Sequence, residues 1–168
     1  MSMHRLHHSE DKELKMVTKL LPDQIAKFWP VIKYAVEQSV PPTVGEHPDK
    51  MNRILSAMLS GKLDVWVSYQ HQEDGVTKFD GIGVTQILYD EASHTKSLLI
   101  YAVYAYENTV PETWAEAYEA VGKYALSQGC NRYIAYSSVP FIIEQAKRFG
   151  GDTSFTFISL PLPSSFNN

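Results

Sequence analysis

Residues 97–107, SLLIYAVYAYE, are apolar at nearly every position. Successive side chains of an extended strand point to opposite faces. A strand apolar on both faces must therefore be covered on both, which places it centrally in a sheet between two layers. Directly after it, Trp114, Ala117, Tyr118, Val121 and Ala125 recur at i, i+3, i+4, i+7 and i+11, the spacing of an amphipathic helix. A buried strand running straight into a helix brings unpaired N–H groups and the positive end of the helix dipole to the end of the sheet. Such junctions often hold a phosphate, and glycines let it approach the backbone. Here the junction is ENTVPE (107–112), with two acids and no glycine.

The flanking sequence supplies the other layers. KMVTKLL (15–21) predicts a short strand, and Pro22 opens a helix in which Ile25, Phe28, Trp29, Ile32 and Val36 share a face. Pro30 interrupts that pattern, so a kinked or split helix is expected. PPTVGEHPD (41–49) is rich in turn residues. A second helix follows, with Met51, Ile54, Leu55, Met58 and Leu59 on one side and Gly61 as its stop. LDVWVSYQ (63–70) alternates Val65, Val67 and Tyr69 against Asp64, Trp66 and Ser68, and Asp74-Gly75 predicts a hairpin into KFDGIGVTQILYD (78–90). Beyond the central strand and its helix, which Gly129 closes, come a strand at 132–139, a helix at 140–151 with Pro140 near its start, and a last strand, TSFTFISLPL (153–162). The expected order is β-α-α-β-β-β-α-β-α-β: an α/β chain (α+β, mixed sheet) with helices on both faces, antiparallel hairpins first and one parallel pair after a crossover. Residues 1–15 read as a polar tail, 16–162 as the domain, and 163–168 as a C-terminal tail.

At 168 residues and 44% hydrophobic, the chain suits one domain with a sizeable core. Its net charge of -4, with no Lys/Arg cluster longer than a pair, argues against nucleic acid as a partner. Cys130 is the only cysteine, so no internal disulfide and no cysteine-based zinc site can form. No apolar run approaches the roughly 20 residues that span a bilayer, and MSMHRLHHSEDKELK lacks the apolar core of a secretory signal. No membrane association and a cytoplasmic location are expected. His4, His7 and His8 have no acidic or cysteine partner at ligand spacing, and they read as part of the polar tail or as an expression remnant rather than a metal site.

The element order and the segment SSVPFIIEQAKRFGGDTSFTFI, with its helix ending at Gly150-Gly151, resemble the GNAT (N-acetyltransferase) superfamily over residues 16–162. The chain also resembles the divergent GNAT-like proteins of tailed bacteriophages, some of which are virion components. The resemblance implies a GNAT-like fold in which acetyl-CoA lies where the fourth and fifth strands part. In that family the pyrophosphate sits on a Gln/Arg-x-x-Gly-x-Gly/Ala loop after the fourth strand. The equivalent ENTVPETWAEAY has none of those glycines, and Pro111 removes one N–H donor. Thr109–Glu112 and Thr113–Glu116 are overlapping capping-box signatures, either of which would turn the first-turn donors onto the protein's own side chains. Glu107, Glu112 and Glu116 would repel a phosphate. The family's tyrosine acid, about four residues before the terminal glycine, falls on Ala146, and the nearest aromatic, Phe149, has no proton to give.

The expected function is accordingly a non-catalytic interaction or assembly protein, a phage virion or accessory component with a degenerate cofactor loop. It would sit in the host cytoplasm or the virion, with a protein partner or homo-oligomer and no cofactor. The alternative is a divergent N-acetyltransferase. There, acetyl-CoA would pair with the strand backbone at Tyr101, Val103 and Ala105 and meet Asn108 and Thr109. Glu107 would take the amine proton, with Glu46 and His47 as further candidate bases. Gly81-Ile82-Gly83 lies inside a strand pattern and reads as close backbone packing or a bulge. Cys130 reads as a buried small hydrophobe. Tyr101, Tyr104, Tyr106, Tyr133 and Tyr136 crowd the two strands expected to part, where they would fill the gap or line a pocket.

Overall fold

The computed structural model describes residues 16–71, 73–106 and 109–167. Two compact units divide the chain, one up to Ala135 and one from Tyr136 onward. The first contains β1 (Met16–Lys19), α1 (Pro22–Lys27), α2 (Trp29–Glu37), α3 (Lys50–Leu59), β2 (Asp64–His71), β3 (Thr77–Asp90), β4 (Thr95–Ala105), α4 (Pro111–Ser127) and β5 (Cys130–Ala135). The sheet order is β1-β2-β3-β4-β5. The first three pairings are antiparallel, and β4 and β5 run parallel through the α4 crossover.

Alternation along the strands separates two cores. Val65, Val67, Ile82 and Val84 join Ile25, Ile32, Val36, Ile54 and Met58 on the face covered by α1, α2 and α3. Trp66 and Leu98 join Val121, Ala125 and Cys130 on the face covered by α4. The central strand is thus buried from both sides, as its sequence requires. Pro30 divides the first helical stretch as expected: α1 ends at Lys27 and α2 starts again at Trp29, with Pro30 in its first turn where no N–H is needed. Gly61 stops α3 at φ +80, and Gly129 stops α4 at φ +84, a backbone region that a Cβ disfavours.

In the second unit, α5 (Pro140–Arg148) starts with proline at its first turn and ends before Gly150. The Tyr136 and Phe157 rings meet edge-on at 5.5 Å. The last expected strand is corrected here: residues 153–162 form no ladder among the described residues. Asp152 Oδ1 accepts the Ser154 N–H at 2.9 Å, and Pro161 and Pro163 carry no N–H, so donors are lost at both ends of the segment. A short 3-10 turn, Ser164–Asn167, follows.

Candidate functional site

The site begins with an irregularity in β4. Thr85 faces Ile100 and Val84 faces Ala102, so Tyr101 is an extra residue with no partner on β3. This is a β-bulge, and it reverses the alternation of side chains. Leu98 and Ile100 pack with α4, whereas Tyr101, Ala102 and Tyr104 all pack with the helices of the other face. The ladder to β5 ends at the same place, with Ile100 opposite Ala135. β4 continues to Ala105 without a partner strand on that side among the described residues. A bulge bends and twists its strand, and the β4–β5 ladder ends one residue before it. Residues 101–105 keep backbone N–H and C=O groups that the β5 ladder does not use.

A second bulge holds the junction that follows. Ser68 faces Gly81 and Tyr69 faces Phe79, which leaves Asp80 as the extra residue of β3. The Asp80 carbonyl accepts the Tyr106 N–H at 3.0 Å and the Thr109 hydroxyl at 2.7 Å. Thr109 also lies 2.7 Å from the Tyr106 carbonyl. The expectation that Thr109 or Thr113 caps α4 is therefore corrected. The N-cap is Val110, with no side-chain cap. The Thr109 hydroxyl is turned back to the sheet, and the Thr113 hydroxyl is buried without a hydrogen-bond partner. Pro111 occupies the first helical position and Glu112 the second, and among the described residues no side chain caps the first-turn amides that remain. Glu107 and Asn108, the expected base and a cofactor contact, lie outside the described residues.

Tyr101 also lines a groove of about 460 Å³ between the sheet and the segment that opens α3. Glu46 and His47 line it as well, so the fold brings both of these candidate bases to the strand at its bulge. Neither is poised as a base. Both Glu46 carboxylate oxygens lie 3.1 Å from Lys50 Nζ, and His47 Nδ1 accepts the Asp49 N–H at 3.0 Å. In a neutral ring that bond occupies the one available lone pair. Burial raises the Tyr101 phenol above its ordinary range, and its hydroxyl makes no hydrogen bond among the described residues. Sequence reasoning missed Lys50, Arg53, Lys62 and Gln86 in this groove and Asp80 beneath the junction. Only the GEHPD loop had signalled the region.

His4, His7 and His8 lie outside the described residues, and Tyr133, Cys130 and Gly81 sit in packed surroundings. Tyr133 donates to the Tyr118 carbonyl at 2.6 Å and packs with the α4 core. Burial, then the neighbouring Tyr118, push its pKa up to about 12. Tyr124 is also pushed up to about 12, by burial first and then by its 2.8 Å hydrogen bond to Asp64. Cys130 is buried, and burial raises its thiol against a smaller opposing effect of Lys96. That is the environment of an inert thiol. Gly81 leaves room for the Tyr104 carbonyl, which would lie 3.4 Å from a Cβ there.

No protein-family model matches the sequence, and no curated protein matches it significantly. Solved structures do match. An aminoglycoside acetyltransferase from an uncultured soil metagenomic sample, in complex with sisomicin, superposes with a TM-score of 0.65 at 13% identity, over 89% of this chain and 97% of the other. AAC(6')-Iy, in complex with the bisubstrate analogue CoA-S-monomethyl-acetylneamine, gives 0.63 at 13% identity, over 89% and 98%. Glucosamine-6-phosphate N-acetyltransferase from Arabidopsis thaliana gives 0.59 at 16% identity, over 90% and 100%. The chain has the GNAT fold. The expectation of a non-catalytic phage assembly protein is overturned: the structures that this chain resembles are acetyltransferases, and nothing found supports a phage subclass. One physical ground for that expectation, a helix start capped by Thr109, is also removed by the turn of its hydroxyl toward Asp80.

Proposed function

We propose that this protein is a divergent N-acetyltransferase that moves an acetyl group from acetyl-CoA to an amine. The observation that carries the reading is the coincidence at Tyr101. There the bulge, the end of the β5 ladder and a residue lining the groove fall within one residue of each other. The unused strand edge fits a pantetheine arm, which is itself a chain of amides. Backbone groups at Tyr101, Val103 and Ala105 would hold that arm as an added strand is held. Thr109 fixes the junction beside it. The fit is poorer at the pyrophosphate, where Pro111 offers no N–H and Glu112 adds a like charge. Binding there leans on the strand rather than on the helix.

When bound, acetyl-CoA supplies an acyl group activated as a thioester. The chain orients the acceptor amine along the groove toward Tyr101 and accepts its proton as the C–N bond forms and the C–S bond breaks. Lys50 and the Asp49 amide occupy Glu46 and His47 respectively, so the proposal keeps Glu107, directly or through water, as the base.

Acetyl-CoA should raise the melting temperature, because a ligand that binds only the native state stabilises it by mass action. Thiol release in the presence of an amine should then report transfer. Glu107→Gln should lower kcat about a hundredfold or more while KM changes little. No thermal shift at millimolar acetyl-CoA would sink the reading.

A further inference from the structure

The groove beside Tyr101 has an unusual charge balance for this chain. Lys50, Arg53 and Lys62 line it against one acid, Glu46, whereas the whole chain carries a net charge of -4. Glu46 is already committed, since both its oxygens are bonded to Lys50. Lys50 is the better buried of the two, with 19% of its side chain exposed against 90% for Glu46. Among the described residues, the Arg53 and Lys62 side chains form no ion pair or hydrogen bond. Asp49, one turn before Arg53 on α3, makes no ion pair with it. Gln86, half-buried on β3, makes no side-chain hydrogen bond among the described residues. A groove with two uncommitted cations and an open amide is built to receive a negatively charged group.

We propose that the acceptor is an anionic amine, in which a carboxylate or phosphate is held by Arg53 and Lys62 while the amine lies at the Tyr101 end. The substrate class follows from charge. Arg53 and Lys62 are exposed, so a polycationic amine would meet like charge from both side chains, and a neutral amine would gain nothing from either. Arg53 provides a planar fork suited to two oxygens, and Lys62 a point charge lining the same groove. The inference rests on the acetyltransferase reading for the chemistry of the amine but not for the anion site, so the two are tested apart.

The test is calorimetric titration without acetyl-CoA, using O-phosphoethanolamine, β-alanine and spermidine as probes, on the full chain and on R53Q/K62Q. Expected is binding of phosphoethanolamine or β-alanine to the wild type at least about tenfold tighter than spermidine, falling about tenfold or more in the variant. The stronger of the two acid-bearing amines, phosphoethanolamine (net negative) or β-alanine (a zwitterion), identifies phosphate or carboxylate as the group held. Spermidine binding as well as either anion, no anionic probe binding, or an unchanged affinity in R53Q/K62Q overturns the proposal. R53K should recover part of the affinity, and an unchanged melting temperature in each variant shows that the fold is intact. A missing acetyl-CoA shift in the same samples would remove the transfer reaction and leave the anion result standing. In turnover, the variant should raise KM for anionic amines with kcat little changed.

Discussion

Trp66 and Thr85 stand on neighbouring strands beneath α4, with the indole N–H donating to Thr85 Oγ1 at 3.0 Å and both residues buried. Thr85→Val keeps the shape and removes the acceptor, so it should cost about 1–3 kcal/mol for an unsatisfied buried donor, measured by urea unfolding. Tyr124 and Tyr133 have a measurable alkaline signature. Both phenols titrate near 12 in the folded chain against an ordinary value of 10. The unfolded chain therefore ionises first as pH rises. The stability contributed by these two groups is complete below pH 10 and is lost as pH climbs toward 12. Unfolding free energies measured across that range should decline, and the decline should be shallower in Tyr124→Phe/Tyr133→Phe. At this scale the sequence told which tyrosines concentrate on two strands. It did not tell that Tyr133 reaches a helix carbonyl while Tyr101 opens on a groove, because that depends on a bulge between them and their strand pairing.

The β4–α4 junction is the element on which the functional reading turned. Two Thr-x-x-Glu patterns look like caps in a linear reading, and the local rule behind them is sound. The rule lost to a tertiary competitor: the Asp80 carbonyl, freed by a bulge on the neighbouring strand, takes the Thr109 hydroxyl instead. Thr109→Val should loosen the junction, speed amide exchange around 106–112 and weaken acetyl-CoA about fivefold, the worth of roughly 1 kcal/mol of lost hydrogen bonding. Glu112→Gln removes a like charge from the helix start and should tighten acetyl-CoA about two- to fivefold, with the gain shrinking at high salt. Calorimetry at two salt concentrations checks both changes. The last expected strand failed for a related reason. Alternation at 153–162 specifies a strand only if a ladder accepts it, and here donors at its ends are missing or already used.

At the scale of the first unit, one sheet divides two cores. Ile32 and Leu98 are each fully buried, on opposite faces. Ile32→Ala and Leu98→Ala should each cost about 2–5 kcal/mol. Sheet and helix layers pack about 10 Å apart, so the two costs should add within about 0.5 kcal/mol in the double variant. Chemical denaturation of the three variants checks the sum. Strong non-additivity would mean that the layers relax into each other. The functional reading belongs to this scale too. The strand edge, the junction and the groove come from segments up to about 65 residues apart, and only the sheet brings them together.

Hydrophobic period alone determined the layers of this protein: a strand apolar on both sides, helices with one apolar stripe, proline and glycine marking their ends. Those features follow from backbone geometry and burial, which each residue expresses locally. The site was decided by where the ladders break. Two single-residue bulges, at Asp80 and Tyr101, are properties of strand pairs rather than of either strand; the glycines at 81 and 83 hinted at the first, and no local pattern marks the second. They drew the Thr109 hydroxyl of a junction spelled as a self-capped helix back to the sheet, beside a strand edge and a groove lined by Arg53 and Lys62.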